Sequence, residues 1–597
     1  MPLKSSALLR MAVVFCLAFA VRMLYLYEIH DNPFFHHMLI DENSYDQWGQ
    51  EIAAGDWLGK EIFYQDPLYP YFLGALYSTI GRSLLWVRVV QLFIGSLTCV
   101  LIYLMAAAFF DWKAGLAAGI LAVFYRPFFY FEAMFLKTFL GVFLICLFVL
   151  LLVVARQRRS FLLWVAPGFV LGLLALVRSN TLAFAAIVII WLFVVARESE
   201  DMKHKFIAAT GFFAGLLIVL LTVFARNYIV GKDVVVLTSQ AGQNFFIGNN
   251  PWNDTGRYCP PIFIRPNPGY EQEDFRVRAE INTGRKLKPS EVSRYWFGRG
   301  FDYIREKPGH WLGLMWTKFR LFWNWYEVPD NQNFIFFKRY AFLLRVPFPD
   351  FRVVAALGLV GMILSLRQWR KLLLPYLIVI TYSGTVIAFY IFDRYKLPVV
   401  PLLMVFTAFL IIKVFEMLAG RSYAKLLGTA ALVCVSLLFM SMHVDARSYN
   451  DDRANAYCRL GSIYLAEGKN DAALTAYERA SIIAPLYWAA YYGMGEVYAR
   501  KDNLDRALVN FEKARFFNPG NVDTFVQVGN ILFNKGQYEK SVEQHLRVTE
   551  LMPDWPEPHR WLANTYRVMG DEEQARIHFK KYLELKTLNA PDEQVGE

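Results

Sequence analysis

The sequence predicts an all-α fold in which a polytopic membrane domain of about eleven helical spans is followed by a helical solenoid. Two observations support this prediction. The 597 residues are 56% hydrophobic and 17% aromatic, a composition typical of a chain that crosses a membrane many times. From residue 454 onward the composition changes, and small and aromatic residues recur every 34 positions, as in stacked helix pairs.

The spans are predicted where about 20 apolar residues follow one another, because such a helix crosses a hydrocarbon core of roughly 30 Å. These runs lie near 8–27, 86–109, 114–131, 134–155, 161–177, 180–196, 206–225, 352–366, 372–392, 396–415 and 425–442. The predicted organisation is therefore a membrane domain over 1–445, a linker over 446–453, a solenoid over 454–587 and a tail over 588–597.

The net charge of +11 does not indicate a nucleic-acid partner, because the basic residues gather in short turns between spans. If the N-terminus is cytoplasmic, the positive-inside rule places all of these turns in the cytoplasm. They lie near 156–159, 203–205, 367–371 and 413–425. We therefore predict a multi-pass protein of the cell (inner) membrane with a periplasmic or otherwise extracytoplasmic solenoid.

This topology sends several connecting segments outward. They are the loop 28–85, the short turns near 125–137, 178–181 and 393–396, and the segment 226–351. The last is too long for a turn and carries Gly, Asn, Pro and many charges, so we predict a small folded elaboration there.

The first outward loop carries an acidic pair, Asp41 and Glu42, directly after the first span. Tyr45 follows on an amphipathic stretch, and Arg88 opens the next span. Between them lies the run Asp66-Pro-Leu-Tyr69-Pro70. Acid, aromatic and cation are thus predicted to converge on one membrane face, as transfer of a sugar from a lipid phosphate requires.

Asp41 is the predicted general base of such a transfer. The leaving group is already a stabilised phosphate, so one base that takes the proton of the acceptor hydroxyl suffices. The alternative for Asp41 is an ordinary helix N-cap, since the following residues look helical. Neighbouring residues on a helix diverge by about 100°, so Glu42 is predicted to contact the acceptor or to stabilise the loop.

Cations are predicted to hold the phosphate as negative charge develops on it. Arg88 is the best placed, with Arg394 and Lys396 behind it. Positive residues also settle at interfaces to meet lipid headgroups, which is the alternative for Arg394 and Lys396. Arg178 is a further candidate whose alternative is a snorkelling anchor.

Glu132 lies among apolar residues in the next outward turn, where an unpaired carboxylate is costly. We predict a role in the catalytic site, with pairing to Arg126 or Lys137 as the alternative.

The C-terminal repeat keeps its register over four units. Small residues align where two helices cross, bulky residues align opposite them, and prolines close the units: Gly461, Gly495, Gly529 and Ala563; Ala473, Ala507, Ser541 and Ala575; Tyr477, Phe511, His545 and Phe579; Pro485, Pro519 and Pro553. This pattern resembles tetratricopeptide repeats, whose concave surface usually binds a peptide or protein. We therefore predict a protein partner for this surface.

The features from Asp41 to Arg88, with the outward Glu132, resemble the GT-C membrane glycosyltransferases, in particular the protein mannosyltransferase and aminoarabinose transferase group. The resemblance implies a multi-span enzyme that uses a polyprenyl-phosphate-linked monosaccharide as co-substrate at the extracytoplasmic face. It places Asp41 near the acceptor and Arg88 near the phosphate, and it implies an inverting reaction. The acceptor, whether protein, lipid or glycan, is left open.

Two departures from the family pattern stand out. Where some members carry an Asp at the start of the fourth span, this chain has Lys137, and the Lys that some carry before the Pro-rich segment is here Gln65 or Asp66. No Asp-x-Asp motif lies near the predicted site, and the six cysteines show no paired spacing. No metal site or further cofactor is therefore assigned, and dependence on a divalent metal stays open.

Three other functions compete with this prediction. A polytopic transporter would tend to show two related halves, whereas this chain is asymmetric. A membrane-anchored tetratricopeptide scaffold for envelope assembly would leave the residues from Asp41 to Arg88 unexplained. Glycan ligases or polymerases with repeat tails would not require the first-loop acidic pair.

Overall fold

A computed structural model describes residues 5–157, 160–195, 202–265, 268–442 and 445–589. Within these ranges the regular elements are helices, and no strand occurs. Arg158 and Arg159 of the predicted basic turn, and the predicted tail from residue 590, lie outside the described residues.

The helices that precede the repeats are α1 (Ser5–Ile29), α2 (Pro33–His36), α3 (Asp41–Ala53), α4 (Leu68–Ile80), α5 (Leu84–Phe109), α6 (Trp112–Phe124), α7 (Arg126–Glu132), α8 (Thr138–Gln157), α9 (Phe161–Ala175), α10 (Phe184–Val195), α11 (Met202–Gly231), α12 (Ala241–Gly248), α13 (Pro268–Thr283), α14 (Pro289–Glu306), α15 (Pro308–Phe322), α16 (Phe334–Phe337), α17 (Phe351–Ser365), α18 (Trp369–Ile387), α19 (Asp393–Lys396), α20 (Val400–Ala419) and α21 (Tyr423–Met440). The repeats comprise α22 (Ala446–Ala466), α23 (Asn470–Ile483), α24 (Trp488–Arg500), α25 (Leu504–Phe517), α26 (Val522–Asn534), α27 (Tyr538–Leu551), α28 (Glu557–Met569) and α29 (Glu572–Asn589).

Seven helical stretches of the described residues are long and apolar enough to cross a membrane, and the bent pair α6 and α7 would make an eighth. The eleven predicted spans all coincide with apolar helices. However, α9, α10 and α17 have only 15, 12 and 15 residues, about 22, 18 and 22 Å at 1.5 Å per residue, which is less than the roughly 30 Å of a hydrocarbon core. The chain is a multi-pass membrane protein with fewer full-length spans than its apolar runs indicated.

The apolar stretch Phe351–Ile387 contains two helices rather than one long span. The Tyr376 hydroxyl lies 2.7 Å from Ser365 Oγ and donates to the Met362 carbonyl at 2.6 Å. Residues 14 positions apart in one straight helix would be separated by about 21 Å. The chain therefore turns back through Leu366–Gln368, and α17 and α18 are separate helices, as predicted.

The chain divides into two compact units. The first, the membrane unit, contains Met1–Cys259 and Lys288–His443; the second, the repeat unit, contains Pro260–Leu287 and Val444–Glu597. The large outward segment 226–351 is thus divided, because residues 260–287 pack with the repeats. The expected linker 446–453 is helical and forms the first two turns of α22.

Within the repeat unit, α22 to α29 form four helix pairs in the predicted register. A Cβ atom added to Gly461 would lie 2.8 Å from the Tyr477 ring, and one added to Gly495 would lie 2.8 Å from the Phe511 ring. In these two pairs the absence of a side chain at the glycine lets the helices cross closely. Ala473 and Ala507, on the second helix of each pair, are fully buried.

One buried cation stands out in the membrane unit. Lys318 of α15 is inaccessible to solvent, and its ammonium donates to Asn249 Oδ1 at 3.0 Å. Burial lowers the pKa of Lys318 to about 7. The lysine is thus held where its charged form is disfavoured.

Candidate active site

Asp41 is the first residue of α3, and the N-cap position is Ile40, with no side-chain cap. The alternative of Asp41 as an N-cap is therefore wrong. Ile40 has φ 49° and ψ −110°, which is unusual for a β-branched residue. Instead of capping, the Asp41 carboxylate accepts a hydrogen bond at Oδ2 from Arg394 Nη2 at 2.7 Å.

Arg394 bridges two carboxylates. Its Nη2 atom also lies 2.5 Å from Asp330 Oδ2, and its side chain is only 6% exposed. Asp330 comes from the loop after α15 and was not predicted from the sequence, because a single acid in a long loop carries no pattern. The bridge joins residues 353 positions apart in the chain.

Arg178 lies beside Arg394. Its Nη2 donates to the Arg394 carbonyl at 3.2 Å, and its guanidinium carbon lies 4.8 Å from the centre of the Tyr395 ring. Arg178 Nε and Arg394 Nε and Nη1 are buried, and no atom of the described residues accepts a hydrogen bond from them. Buried guanidinium donors without acceptors are costly, so this cluster has unused hydrogen-bonding capacity.

Asp66 and Lys137, the two departures from the family pattern, are partners. Lys137 Nζ donates to Asp66 Oδ2, and Ser179 Oγ donates to Asp66 Oδ1 at 2.7 Å. Burial lowers the pKa of Lys137, and the Asp66 carboxylate opposes that effect. The two residues therefore form a buried ion pair that links the first outward loop to the start of α8.

Tyr45 and Tyr69 form the aromatic wall beside these charges. Their ring centres are 5.4 Å apart in an edge-to-face arrangement, and both side chains are almost fully buried. Tyr69 donates to Gln91 Oε1 at 2.7 Å. Burial raises the pKa of Tyr45, and the Asp41 charge adds to this effect.

The five outward segments defined from the sequence meet at this cluster. Each segment supplies at least one charged or hydroxyl group of the cluster: 28–85 supplies Asp41 and Asp66, 125–137 supplies Lys137, 178–181 supplies Ser179, 226–351 supplies Asp330, and 393–396 supplies Arg394. Segments that a single topology places on one membrane face are therefore neighbours in space.

Glu42 points to a different place from Asp41. Gln332 Nε2 donates to both of its carboxylate oxygens, at 3.2 and 3.1 Å. Burial raises the pKa of Glu42, and the positive charge of Arg88 opposes that effect. Glu42, Arg88 and Gln332 line a small cavity of about 20 Å³ whose other walls are mainly aromatic and aliphatic.

The Arg88 guanidinium donates hydrogen bonds to the protein backbone. It donates to the carbonyls of Phe35 and Ala133, each at 2.9 Å, and to that of Leu84 at 3.1 Å. The guanidinium carbon lies 3.9 Å from the centre of the Phe35 ring. Arg88 therefore ties the first loop to the end of α7.

Glu132 is paired with Arg22, which was not predicted because it interrupts the first apolar run as a single charge. Arg22 Nε and Nη2 donate to the two carboxylate oxygens at 2.6 and 2.9 Å. Arg22 is fully buried, and Glu132 is 4% exposed. A Cβ atom on Gly95 would lie 2.2 Å from the Glu132 carboxyl carbon, so that glycine makes room for the pair. Neither Arg126 nor Lys137 is the ion-pair partner.

Lys396 supports a loop. Its ammonium donates to the carbonyls of Asn324 and Tyr326 at 3.0 and 2.8 Å and lies 3.7 Å from Glu327 Oε2. In the described part of the chain no group of three or more His, Cys, Asp or Glu could hold a metal ion.

Residues 65–224 match the family described as dolichyl-phosphate-mannose-protein mannosyltransferase. The predicted resemblance is confirmed. The mannosyltransferase-family match supports a membrane glycosyltransferase of the GT-C type. It contains Asp66, Arg88, Lys137 and Arg178, whereas Asp41 and Arg394 lie outside the matched residues.

Residues 461–502 match a family described as TPR repeat, which confirms the tetratricopeptide prediction. A comparison with curated proteins gives no match. Similar solved structures include a crystal structure of MamA, with 20% identity, 22% of this chain and 78% of that chain covered, and a TM-score of 0.22. A second MamA structure, from AMB-1, has 28% identity, 31% of this chain and 99% of that chain covered, and a TM-score of 0.22. PilF of Pseudomonas aeruginosa has 24% identity, 23% of this chain and 63% of that chain covered, and a TM-score of 0.22.

Proposed function

We propose that the protein transfers a monosaccharide from a polyprenyl-phosphate donor to an acceptor on the extracytoplasmic side of the cell (inner) membrane. The observation that carries the proposal is the contact between Asp41 and Arg394, next to three buried guanidinium N–H groups without acceptors. A carboxylate beside unfilled cationic donors provides a base and a phosphate site within one cluster.

In this proposal Asp41 is the general base. Arg394 engages Oδ2, and Oδ1 takes the proton of the acceptor hydroxyl as the acceptor oxygen bonds to the anomeric carbon. The bond from that carbon to the phosphate oxygen breaks on the opposite face, and its electron pair leaves with the phosphate. The configuration inverts, and the base contributes roughly 10²- to 10⁴-fold to the rate.

We assign the leaving phosphate to Arg394 and Arg178, ahead of Arg88. A guanidinium can hold two phosphate oxygens through a pair of N–H groups, and the unfilled donors belong to these two residues. Arg88 already donates to three backbone carbonyls. It is therefore given a positioning role, holding the loop that carries Asp41 and Glu42.

The small cavity beside Glu42 is assigned to the acceptor hydroxyl. Its walls combine one carboxylate, one guanidinium, two amides and several aromatic rings, which suits a hydroxyl carried on a partly apolar group. Glu42 and Asp41 follow one another in α3 but point to different places, so the acceptor must extend from the Glu42 cavity to the Asp41 carboxylate. We infer that the repeats bind a protein partner on the same side of the membrane.

The test is donor consumption by the purified, lipid-supplemented protein, followed by mass spectrometry over a panel of polyprenyl-phosphate sugars with membrane extract as the acceptor source. The wild type is expected to consume one donor, Asp41→Asn to consume none, and the control Asp31→Asn to match the wild type. Asp31 lies in the same loop and is fully exposed. Equal consumption by Asp41→Asn and the wild type would remove Asp41 from the mechanism.

A further inference from the structure

A piece of the large outward segment packs with the repeats. Pro260–Leu287, the docked segment, belongs to the repeat unit and contains α13. Arg278 of α13 places Nη2 2.8 Å from Asp554 Oδ2, in the turn between α27 and α28. Both side chains are about one-fifth exposed, so the ion pair is shielded from solvent on most sides.

A second contact lies one repeat earlier. A Cβ atom on Gly520 would lie 2.6 Å from Ile262 Cδ1, so the docked segment approaches the backbone of the turn between α25 and α26. Gly520 and Asp554 are separated by one repeat length of 34 residues. The docked segment therefore contacts the same turn position of two successive repeats.

The docked segment is folded around an internal ion pair. Arg265 donates from its backbone N–H to Asp274 Oδ2 at 2.8 Å and from Nη2 to Oδ1 at 2.6 Å. Its guanidinium carbon lies 4.2 Å from the Tyr270 ring centre and 5.8 Å from that of Trp555. A ligand that is already ordered loses less conformational entropy on binding.

The repeat surface below is complementary in charge. Asp523 and Glu557, at the starts of α26 and α28, both interact with the positive charge of Arg265. Burial raises the pKa of Asp523, and Arg265 opposes that effect. Acidic groups of two successive repeats thus face a segment that presents arginines.

The contact leaves little free space. The void that remains among the docked segment and the turn before α28 is about 30 Å³, room for about two water molecules, with Phe263, Val277, Met552 and Trp555 in its walls. The docked segment is thus held by an arginine–carboxylate pair and by apolar packing, contacts that another segment of the same chemistry can make.

We propose that the last two repeats form a recognition surface for arginine-bearing, aromatic-flanked protein segments, and that the docked segment is its resident, displaceable ligand. The surface consists of the turns at Gly520 and Asp554 with Asp523, Trp555 and Glu557. A partner protein of this chemistry competes with the docked segment.

The resident contact is tested by a disulfide in the full-length protein. In a Cys259→Ser background, Ile262→Cys and Gly520→Cys place their sulfur atoms within bonding reach, because Ile262 Cγ1 lies 3.5 Å from the Cβ position of residue 520. Mild oxidation is expected to cross-link most of the protein. The matched control pairs Ile262→Cys with Leu486→Cys, the equivalent turn position one repeat earlier. Equal cross-linking of both pairs would overturn the proposal.

Displacement is tested with a fluorescent synthetic peptide of residues 260–287 and the full-length protein. Arg278→Glu removes the resident ion pair, so the peptide is expected to bind this variant at least about tenfold more tightly than the wild type, whose own segment competes at high effective concentration. The double variant Arg278→Glu/Asp554→Arg restores the internal ion pair with reversed charges. It is expected to exclude the peptide and, when combined with Ile262→Cys and Gly520→Cys, to form the disulfide again.

Arg547→Glu is the control for charge. Arg547 lies on α27, is half exposed and pairs with Glu550, so its replacement is expected to leave peptide binding at the wild-type level. Peptide affinity that is the same for the wild type and Arg278→Glu, or absent from both, would overturn the proposal. Neither readout needs a glycosyl donor, so the outcome is independent of the proposed transferase activity.

Discussion

Replacing Glu132 by Gln is predicted to destabilise the membrane unit rather than to abolish catalysis directly. Arg22 is fully buried and makes two short hydrogen bonds to Glu132. Removing one member of such a pair leaves an uncompensated charge and costs about 3–5 kcal/mol. At about 1–2 °C per kcal/mol for a unit of this size, the apparent Tm should fall by roughly 3–10 °C.

The double variant Arg22→Met/Glu132→Met separates loss of the pair from loss of one charge. Replacing both members by apolar residues is expected to leave stability within about 1–2 kcal/mol of the wild type, since no buried charge remains. The assay is thermal unfolding in detergent followed by intrinsic fluorescence, with the exposed Glu51→Gln as the control. The reasoning is refuted if Glu132→Gln keeps the wild-type Tm, and loss of donor turnover at that unchanged Tm would return Glu132 to the catalytic site.

Further predictions concern other buried groups. Asp66→Lys and Lys137→Asp should each abolish donor turnover and lower the apparent Tm, whereas the double exchange should recover most of the Tm, because the pair is buried and only its polarity changes. Gly95→Ala should lower the apparent Tm by an amount corresponding to about 1–3 kcal/mol through overlap with the Glu132 carboxylate, and no change in Tm would contradict the packing. Lys318→Met should raise stability at pH 7. Because burial lowers the Lys318 pKa to about 7, the unfolded wild type binds more protons between about pH 7 and 10. The free energy of unfolding of the wild type, relative to that of Lys318→Met, should therefore rise by up to roughly 1.4 kcal/mol per pH unit in that range. A difference between the two proteins that does not change with pH would contradict a buried Lys318 with a lowered pKa.

The sequence was sufficient to place helices and repeats because both depend on local periodicity. Apolar runs located every membrane helix, and the 34-residue register located the crossing glycines Gly461 and Gly495. The sequence was less informative about the length of each span, since an apolar run does not reveal where a helix ends. The packing of residues 260–287 with the repeats has no local pattern either, because it depends on contacts between segments more than 200 residues apart.

The sequence predicted most residues of the candidate site but not which of them contact one another. Asp41 and Arg394 were both named, but no pattern in one sequence joins residues 353 positions apart. Asp330 was missed because its loop carries no motif, and Arg22 because a single charge that interrupts an apolar run carries no pattern that names its partner. The carbonyl contacts of Arg88 could not be foreseen, since backbone acceptors leave no trace in residue identity.

The most direct test of the central claim compares donor binding with transfer on the same Asp41→Asn preparation, once the donor has been identified. A general base acts on the acceptor proton, so donor affinity should stay at or above the wild-type level while transfer falls by about 100-fold or more. Arg394→Lys should instead weaken donor binding, because a lysine cannot offer the guanidinium fork. Transfer by Asp41→Asn at the wild-type rate, with normal donor binding, would contradict the assignment of Asp41 as the base.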